Sequence, residues 1–344
     1  MEAQQAQLGG LREAGAEAAP ASAAPPHREL ATLRDGERIE GCYIVRDRNR
    51  RPTKRGGEWL ALKLADRSAT ISAKSWDDVE ARFAITEPGT VVRIQGRFES
   101  SAQWGDALII DAVAVADEGE YALGNLLETS PLPLERMEAD LADLLATIQS
   151  SDLRTLLSRF FDPASPIYRR FRDAPAAKHY HQAYRHGLLE HTLSVAQGVS
   201  AAASFFPGID RDVAVSGALL HDIGKLEAYN DDPLAIDLTD LGRLIGEIPL
   251  GYYRVRREIE TIDGFDPDLG WALLHIILAH HGQLEHGSPV MPATREATLV
   301  HMMDNLGGKL GSFDRIERSL IDGQAWSGFD RGIDGSAFFR NRAA

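Results

Sequence analysis

Between about residues 35 and 116, hydrophobic and polar residues alternate with a period of two, which is typical of strands that bury one face. Glycine-containing turn signals such as Arg55-Gly56-Gly57 and Glu87-Pro88-Gly89 separate the runs. Five short strands predict a small closed barrel of the OB type rather than a two-sheet sandwich, which needs about seven or more strands. The predicted strands are Ile39–Arg46, Trp59–Ala65, Ala69–Trp76, Thr90–Phe98 and Ala107–Val115.

After Pro133 the apolar period becomes helical and remains so almost to the end of the chain. Leu141, Leu144 and Ile148 lie on one such stripe. The predicted fold is therefore a multidomain α and β protein, in which an N-terminal OB-type barrel precedes an all-α bundle. Further helices are predicted at Gln182–Phe206, Arg211–Leu220, Pro267–His280 and Thr294–Leu310.

These patterns divide the chain into five segments. The first is rich in alanine and lacks a sustained apolar period, which predicts a disordered tail. The predicted boundaries are 1–34 for this tail, 35–116 for the barrel, 117–133 for a linker, 134–325 for the helical domain and 326–344 for a C-terminal tail.

The charge is distributed unevenly among these segments. The chain has 51 acidic and 37 basic residues, and its formal net charge of −14 excludes a uniformly cationic nucleic-acid coat. The barrel segment has thirteen residues of each sign, whereas residues 117–344 have 34 acidic and 21 basic residues. Nearly all of the acidity therefore belongs to the helical part.

Cysteine content and hydropathy limit the kinds of metal site and the cellular compartments that are expected for this protein. The single Cys42 permits neither an internal disulfide nor a cysteine-based zinc cage, so any metal must be bound by histidine and carboxylate. No apolar run approaches the roughly 18 residues that span a bilayer, and the N-terminus lacks the layout of a secretion signal. We expect a cytoplasmic protein with no membrane partner.

A basic run between the first two predicted strands suggests a nucleic-acid surface, because OB barrels bind oligonucleotides with this loop. On the next two strands, Trp59, Lys63 and Lys74 are expected to face outward, and Trp76 is a candidate for the same surface. Cationic and aromatic side chains together suit unpaired bases. A solvated loop, with Trp59 capping the barrel, is the alternative. The basic residues are Arg46, Arg48, Arg50, Arg51, Lys54 and Arg55.

Ten of the eleven histidines lie in the helical domain. His221 and Asp222, at the end of an apolar helix, offer a nitrogen and an oxygen that can bind one divalent cation if other helices supply further ligands. His191 and Asp304 lie at suitable places for this. This ordered set of four, with the string His221-Asp222-Ile223-Gly224-Lys225, resembles the HD phosphohydrolase superfamily.

The resemblance implies further ligands for a second metal ion. The pair His280-His281 matches histidines that two-metal HD enzymes use between the HD pair and the last aspartate. A glutamate, Glu247, stands where related sequences often have another histidine. Carboxylate oxygen suits Mn²⁺ or Mg²⁺, so Glu247 is either a ligand or an ordinary surface residue.

The whole chain from about residue 35 to about residue 340 resembles the YhaM-type 3′→5′ exoribonucleases. The resemblance rests on the barrel followed by the HD domain and on strings such as Gly187-Leu188-Leu189-Glu190-His191-Thr192, Ala279-His280-His281-Gly282 and Asp304-Asn305-Leu306. Glu247 departs from the family pattern, and so does His186, where a glycine is expected.

The resemblance implies metal-dependent hydrolysis of single-stranded RNA, with ssDNA as a second candidate substrate, to nucleoside 5′-monophosphates. Asp222 would bind metal and help orient the nucleophile, while Lys225 would neutralise phosphoryl oxygens. Lys178, His181 and Tyr184 are candidates for binding the terminal nucleotide. One or two divalent ions are expected, with Mn²⁺ first and Mg²⁺, Co²⁺ or Fe²⁺ as alternatives.

Two other functions stay open at this point. The protein could hydrolyse small nucleotides, with a regulatory barrel, because the acidic helical domain should repel a long polyanion. It could instead be a non-hydrolytic RNA-binding protein with a degenerate metal site, a hypothesis that Glu247 favours slightly. Whether the protein forms a homo-oligomer is also left open.

Overall fold

The computed structural model describes residues 27–53, 56–101, 105–177, 182–320 and 323–340. The first unit is a closed barrel with the strand order β1-β2-β3-β5-β4. All neighbouring strands pair antiparallel except β3 and β5, which run parallel. The elements are β1 (Arg38–Pro52), β2 (Glu58–Ala65), β3 (Thr70–Ser75), the helix α1 (Val79–Ile85), β4 (Val91–Glu99) and β5 (Ala107–Val115).

This closed order confirms the predicted five-stranded barrel. Alternate residues of β2 and β4 are buried, and Tyr43, Leu60, Leu64, Ile94 and Leu108 fill the interior. Burial of these branched and aromatic side chains supplies the main driving force for the barrel, at about 1.5–3 kcal/mol for each large side chain.

The first strand is longer than predicted and corrects the position of the basic run. β1 pairs with β4 up to Ile44 and with β2 from Ile44 to Pro52, with a register shift between Val45 and Asp47. The basic residues from Arg46 to Arg51 therefore belong to a strand rather than a loop, because β2 extends the ladder past the predicted strand end. Lys54 and Arg55 lie outside the described residues.

The segment just before the barrel departs from the predicted tail. Residues 27–34 lie against the barrel, and Leu30 of a short 3₁₀ helix (Leu30–Thr32) is buried in its core. The carboxylate of Asp66 accepts hydrogen bonds from the Leu30 amide at 2.8 Å and from His27 Nε2 at 3.0 Å. Residues 1–26 of the predicted tail lie outside the described residues.

The second unit is helical, as predicted. α6, α7, α11 and α12 pack around one core, with α10 beside α11. The helices are α3 (Leu134–Ala146), α4 (Ser151–Phe161), α5 (Pro166–Asp173), α6 (Gly187–Ala203), α7 (Arg211–Leu220), α8 (Lys225–Ala228), α9 (Asp240–Leu244), α10 (Glu247–Glu260), α11 (Pro267–Ala279) and α12 (Arg295–Ser319), with a 3₁₀ helix at Leu284–His286.

The starts and ends of these helices follow local chemistry. Asp210 caps α7 by accepting from the Val213 amide, and Thr294 caps α12 by accepting from the Ala297 amide. α6 begins at Gly187 rather than at the predicted Gln182, because His186 has a φ of 67° and interrupts the helix. Glycine, which the family resemblance predicts at this position, adopts such a left-handed conformation without strain.

The segments predicted as linker and C-terminal tail both contain structure. The short helix α2 (Leu123–Leu126) buries Leu126 and Leu127 against Ile44 and Val91 of the barrel. At the other end, β6 (Trp326–Asp330) and β7 (Gly335–Phe338) form a hairpin beside α12. The predicted domain boundaries themselves stay predictions.

Among the helices of the described ranges, none is both long and apolar enough to cross a membrane.

Candidate metal centre

Four side chains from three helical regions converge in the core of the bundle. His191 comes from the first turns of α6, His221 and Asp222 directly follow α7, and Asp304 lies on α12. His191 Nε2 is 3.1 Å from Asp304 Oδ1, 3.3 Å from Asp222 Oδ2 and 3.2 Å from His221 Nε2. His221 Nε2 is 3.3 Å from Asp222 Oδ2 and 3.8 Å from Asp304 Oδ1.

These separations fit the ligands of one divalent cation. Nitrogen and oxygen ligands about 2.0–2.2 Å from a metal lie roughly 3.0–3.6 Å from one another. The Nδ1–H of His221 donates to the carbonyl of Ala218 at 2.7 Å, so the lone pair of its Nε2 points at the other three groups. His191, His221 and Asp222 also form a group whose ligand atoms all lie within 4.8 Å of one another. The donor set therefore suits a metal ion.

Hydrogen bonds within this group favour the protonated form of His191. Burial alone lowers the pKa of His191, but hydrogen bonds to Asp222 and Asp304 outweigh it and raise the pKa to about 9. The pKa of Asp304 is lowered despite its burial, because His191 and His221 stabilise the carboxylate. A charged His191 thus holds two carboxylates that would otherwise repel each other.

Lys225 is the cation beside this group. Its Nζ donates to Asp222 Oδ2 at 2.7 Å from the first residue of α8. Burial alone lowers the pKa of Lys225, but Asp222 and Glu247 raise it above its usual value. Gly224 permits this packing, since a Cβ there would overlap the carbonyl oxygen of Glu247 at the start of α10.

A second group of possible ligands lies next to the first. Glu247, His280 and His281 bring one ligand atom each within 4.8 Å of the others, and His281 Nε2 is 3.4 Å from Glu247 Oε1. The Nδ1 atoms of His280 and His281 donate to the carbonyls of Ile277 and His286. Both Nε2 atoms are therefore available as ligands.

The Nε2 atom of His280 is the clearest sign of a missing partner. It is fully buried, has no hydrogen-bond partner and lies 3.7 Å from Asp222 Oδ1. Burial and the neighbouring His221 and His281 lower the pKa of His280 to about 4, so the ring is neutral at pH 7. A buried imidazole lone pair without a partner, beside a carboxylate, suits a bound cation. Such a cation would lie between the first and second groups of possible ligands, and Asp222 would contact both groups.

Two residues at this site escaped the sequence predictions. The Nδ1–H of His301 donates to the carbonyl of His280 at 2.8 Å, and its ring packs where a Cβ on Gly282 would lie. Tyr229 ends α8 one turn after Lys225, and burial together with the charge of Glu247 raises the pKa of its hydroxyl. Helical spacing from Lys225 is the signal that could have identified Tyr229.

The residues predicted to bind the terminal nucleotide are only partly described. Lys178 and His181 lie outside the described residues. The hydroxyl of Tyr184 donates to Glu190 at 2.9 Å, which ties the segment before α6 to the residue preceding His191. The neighbouring His186 donates through Nδ1 to the carbonyl of Arg172.

On the barrel, the structure separates the predicted nucleic-acid residues into two groups. Paired positions on neighbouring strands share a face, and Arg51 pairs with Trp59 while Ala61 pairs with Lys74. The rings of Trp59 and Trp76 stack with centroids 6.1 Å apart. We call Arg51, Trp59, Lys63, Lys74 and Trp76 the outer face.

The other basic side chains of β1 make internal contacts instead. The guanidinium groups of Arg48 and Arg50 lie 4.1 Å and 4.6 Å from the centre of the Phe83 ring, and Arg48 also donates to the Phe83 carbonyl. Arg46 donates to the carbonyl of Leu234 in the helical unit at 2.8 Å. The expectation of one continuous basic loop is therefore wrong, because alternate residues of a strand point to opposite sides.

Comparisons with known proteins agree with the position of the candidate metal centre in the chain. The HD domain family matches residues 188–307, a range that contains all four converging residues. The chain is 28% identical over 289 residues to the 3′-5′ exoribonuclease YhaM of Bacillus subtilis (strain 168), covering 84% of this chain and 90% of that protein. It is 27% identical over 293 residues to the 3′-5′ exoribonuclease YhaM of Geobacillus sp. (strain WCH70), covering 84% and 88%.

Among solved structures, the chain is similar to the second OB-fold domain of replication protein A from Methanococcus maripaludis. That likeness covers 27% of this chain and 97% of the other, with 15% identity and a TM-score of 0.23. The OB-type assignment of the barrel rests on its closed strand order. Together, the sequence matches confirm the predicted resemblance of this chain to the YhaM-type family, and the helical unit contains the match to the HD domain family.

Proposed function

We propose that this protein is a metal-dependent 3′→5′ exonuclease that hydrolyses single-stranded RNA to nucleoside 5′-monophosphates. The observation that carries the proposal is the convergence of His191, His221, Asp222 and Asp304, with ligand atoms 3.1–3.8 Å apart. The names of the relatives, 3′-5′ exoribonuclease, supply the reaction class and polarity.

The four converging residues would hold the first divalent ion, and Glu247, His280 and His281 would hold a second beside it. A cation at this position supplies positive charge to a phosphoryl group and lowers the pKa of water. Four imidazoles mixed with carboxylates suit Mn²⁺, Fe²⁺ or Co²⁺ better than Mg²⁺, and Mn²⁺ is our first candidate.

Asp222 and Lys225 have the positions that phosphodiester hydrolysis needs. Asp222 directs one oxygen at His191 and His221 and the other toward His280, so it can orient a nucleophile between the two ligand groups. Lys225 stays protonated and can neutralise a phosphoryl oxygen as negative charge develops there. Lys178, His181 and Tyr184 remain our candidates for binding the terminal nucleotide.

The outer face of the barrel would bind the rest of the RNA. Lys63, Lys74 and Arg51 can neutralise phosphates, while Trp59 and Trp76 offer aromatic surface to unpaired bases, and Trp76 is 49% exposed. The same surface accepts single-stranded DNA in principle, because stacking and phosphate contacts do not read the 2′-hydroxyl.

A 5′-labelled single-stranded RNA incubated with the full chain and Mn²⁺ tests the proposal. We expect a descending ladder of labelled products from the wild-type protein and intact RNA from Asp222→Asn. Asp143→Asn, which changes an exposed carboxylate on α3 outside both ligand groups, is the control and should retain activity. Intact RNA together with hydrolysed mononucleotides would contradict the proposal and support an enzyme that acts on small nucleotides.

A further inference from the structure

A short segment connects the metal centre to the barrel, and it keeps its shape through its own hydrogen bonds. We call residues 229–239, between α8 and α9, the strap. The Asn230 amide donates to the Ala235 carbonyl at 2.8 Å through Nδ2, and its Oδ1 accepts from the Asp237 amide at 3.1 Å. The backbone of Asn230 also donates to the Asp237 carbonyl at 2.9 Å. The strap is therefore a closed loop rather than a loose connection.

The tip of the strap docks on the barrel. The side chain of Leu234 packs in an apolar cluster with Cys42, Ile44 and Val91. The Cβ of Ala235 lies within 2.6 Å of the position that a Cβ on Gly89 would occupy. Gly89 has a φ of 92° and no side chain, and both properties allow this close approach.

Arg46 completes the docking. Its Nη1 donates to the Leu234 carbonyl at 2.8 Å. Arg46 occupies the register shift of β1 between Val45 and Asp47. Such bulges turn a side chain away from the regular alternation, so this arginine points at the strap instead of at the outer face.

The base of the strap is fastened to the metal centre. The Thr239 amide donates to the Ala228 carbonyl at 2.9 Å, and the Thr239 hydroxyl donates to the Glu227 carbonyl at 2.7 Å. Both acceptors belong to α8, the four-residue helix that begins with Lys225. Lys225 in turn contacts Asp222. A chain of direct contacts thus runs from Arg46 to the proposed metal ligand.

We propose that the strap holds the barrel in a fixed position relative to the metal centre, and that Leu234 and Arg46 are positioning residues that make long RNA a better substrate than short RNA. The inference rests on the proposed function. Two binding surfaces reinforce each other only when their spacing allows one strand to occupy both. A docked strap keeps this spacing fixed. A barrel that is no longer held by the strap would still bind RNA but would not place the 3′ end of that RNA at the metal centre.

Leu234→Asp tests the inference, because it places a carboxylate in the apolar cluster without touching the metal ligands. We expect its kcat/KM for a single-stranded RNA of twenty or so nucleotides to fall about tenfold, an effect typical of lost linkage. Hydrolysis of a dinucleotide, which reaches only the metal centre, should stay within twofold of wild type, whereas equilibrium affinity for the long RNA should fall together with its kcat/KM. Leu310→Asp, which adds the same charge at an exposed position on α12, is the control.

Arg46→Ala gives a second, independent measurement. It should lower cleavage of long RNA in the same way, whereas Arg38→Ala, at the other end of β1, should not. Small-angle scattering should show a larger radius of gyration for Leu234→Asp and Arg46→Ala than for the two controls. Long-RNA cleavage equal to wild type in both strap variants would overturn the inference, as would equal losses on the dinucleotide.

Failure of the proposed function has a different signature. A wild-type protein that cleaves no RNA would overturn the exonuclease assignment, but scattering would still report whether the strap variants release the barrel. Unchanged scattering in both variants would overturn the docking itself.

Discussion

The ammonium group of Lys225 lies 2.7 Å from Asp222 Oδ2, and this carboxylate also contacts both histidines of the candidate metal centre. The lysine and the carboxylate sit three residues apart, so the turn between α7 and α8 sets their distance. Asp222 is therefore shared between a fixed positive charge and the proposed cation. Substitution of Lys225 should therefore change the rate of hydrolysis, whereas substitution of Asp222 should change metal binding.

Lys225→Met should lower kcat for RNA about 100-fold or more, the size of effect typical of removing a charged group that stabilises the transition state. Bound Mn²⁺ should not decrease, because the metal ligands remain and a competing cation is gone. Lys225→Arg should recover part of the rate. Measurements of kcat and of bound Mn²⁺ on the same samples check this prediction. Loss of Mn²⁺ from Lys225→Met would show that the lysine supports metal binding instead of stabilising charge on the substrate.

Asp222→Asn should remove Mn²⁺ binding and with it the stabilisation that a bound ligand confers on a folded protein. In the wild type, Tm should rise by several degrees as Mn²⁺ is added to the metal-free protein. The variant should show no such rise, while Asp143→Asn, at an exposed position on α3, should behave like the wild type. A Tm increase in Asp222→Asn equal to that of the wild type would contradict the assigned ligand set.

Mn²⁺ affinity should increase between pH 6 and pH 9. The pKa of His191 is raised to about 9 in the metal-free protein, so a cation must displace a proton throughout this range. The sign for stability is opposite, because the pKa is raised: the charged His191 stabilises the metal-free fold fully below about pH 6.5, and this contribution disappears as pH rises through 9.

Calorimetric titration of Mn²⁺ at several pH values, in buffers of different ionisation enthalpy, measures the protons released. We expect about one proton per ion near pH 7 from His191. His275→Asn, whose ring lies outside both ligand groups, is the control and should give the same proton count. An affinity independent of pH would contradict the account of His191.

Trp59→Ala and Trp76→Ala should each weaken binding of single-stranded RNA about 5- to 100-fold, since stacking of one base contributes roughly 1–3 kcal/mol. Trp271→Ala, a 71% exposed tryptophan on α11, should leave affinity unchanged. Fluorescence anisotropy with a labelled RNA, in the Asp222→Asn background to prevent cleavage, provides the measurement. Equal affinities of the Trp59→Ala, Trp76→Ala and Trp271→Ala variants for RNA would show that the outer face does not bind RNA.

Lys63→Ala together with Lys74→Ala should reduce the salt dependence of RNA binding. Each phosphate contact on a single strand contributes about 0.7 to the slope of log K against log salt concentration, so the double variant should lose about 1 to 1.5. An unchanged slope would place the phosphate contacts elsewhere on the protein.

Much of the catalytic unit could be predicted from the order of a few residues. His191, His221, Asp222 and Asp304 are far apart in the chain, and the ordered signature alone brought them together. Four of the five strands were also predicted to within one residue at each end, because their alternating hydrophobic and polar residues leave a pattern of period two, whereas β1 continues six residues past its predicted end.

The remaining features depend on tertiary contacts that leave no local signal. The basic run looked like a loop because the alternation of hydrophobic and polar residues ends at Arg46, whereas pairing with β2 extends the strand and divides its side chains between two sides. The orientation of His280 depends on packing at the end of α11, and the partner of Arg46 lies 188 residues away.

An RNA labelled at its 3′-terminal nucleotide tests the proposed direction of hydrolysis most directly. With Mn²⁺ and the wild-type protein, we expect labelled nucleoside 5′-monophosphate to appear first and without a lag, and we expect Asp222→Asn to release none. Labelled internal fragments, release that starts at the 5′ end, or equal release by Asp222→Asn would contradict this expectation.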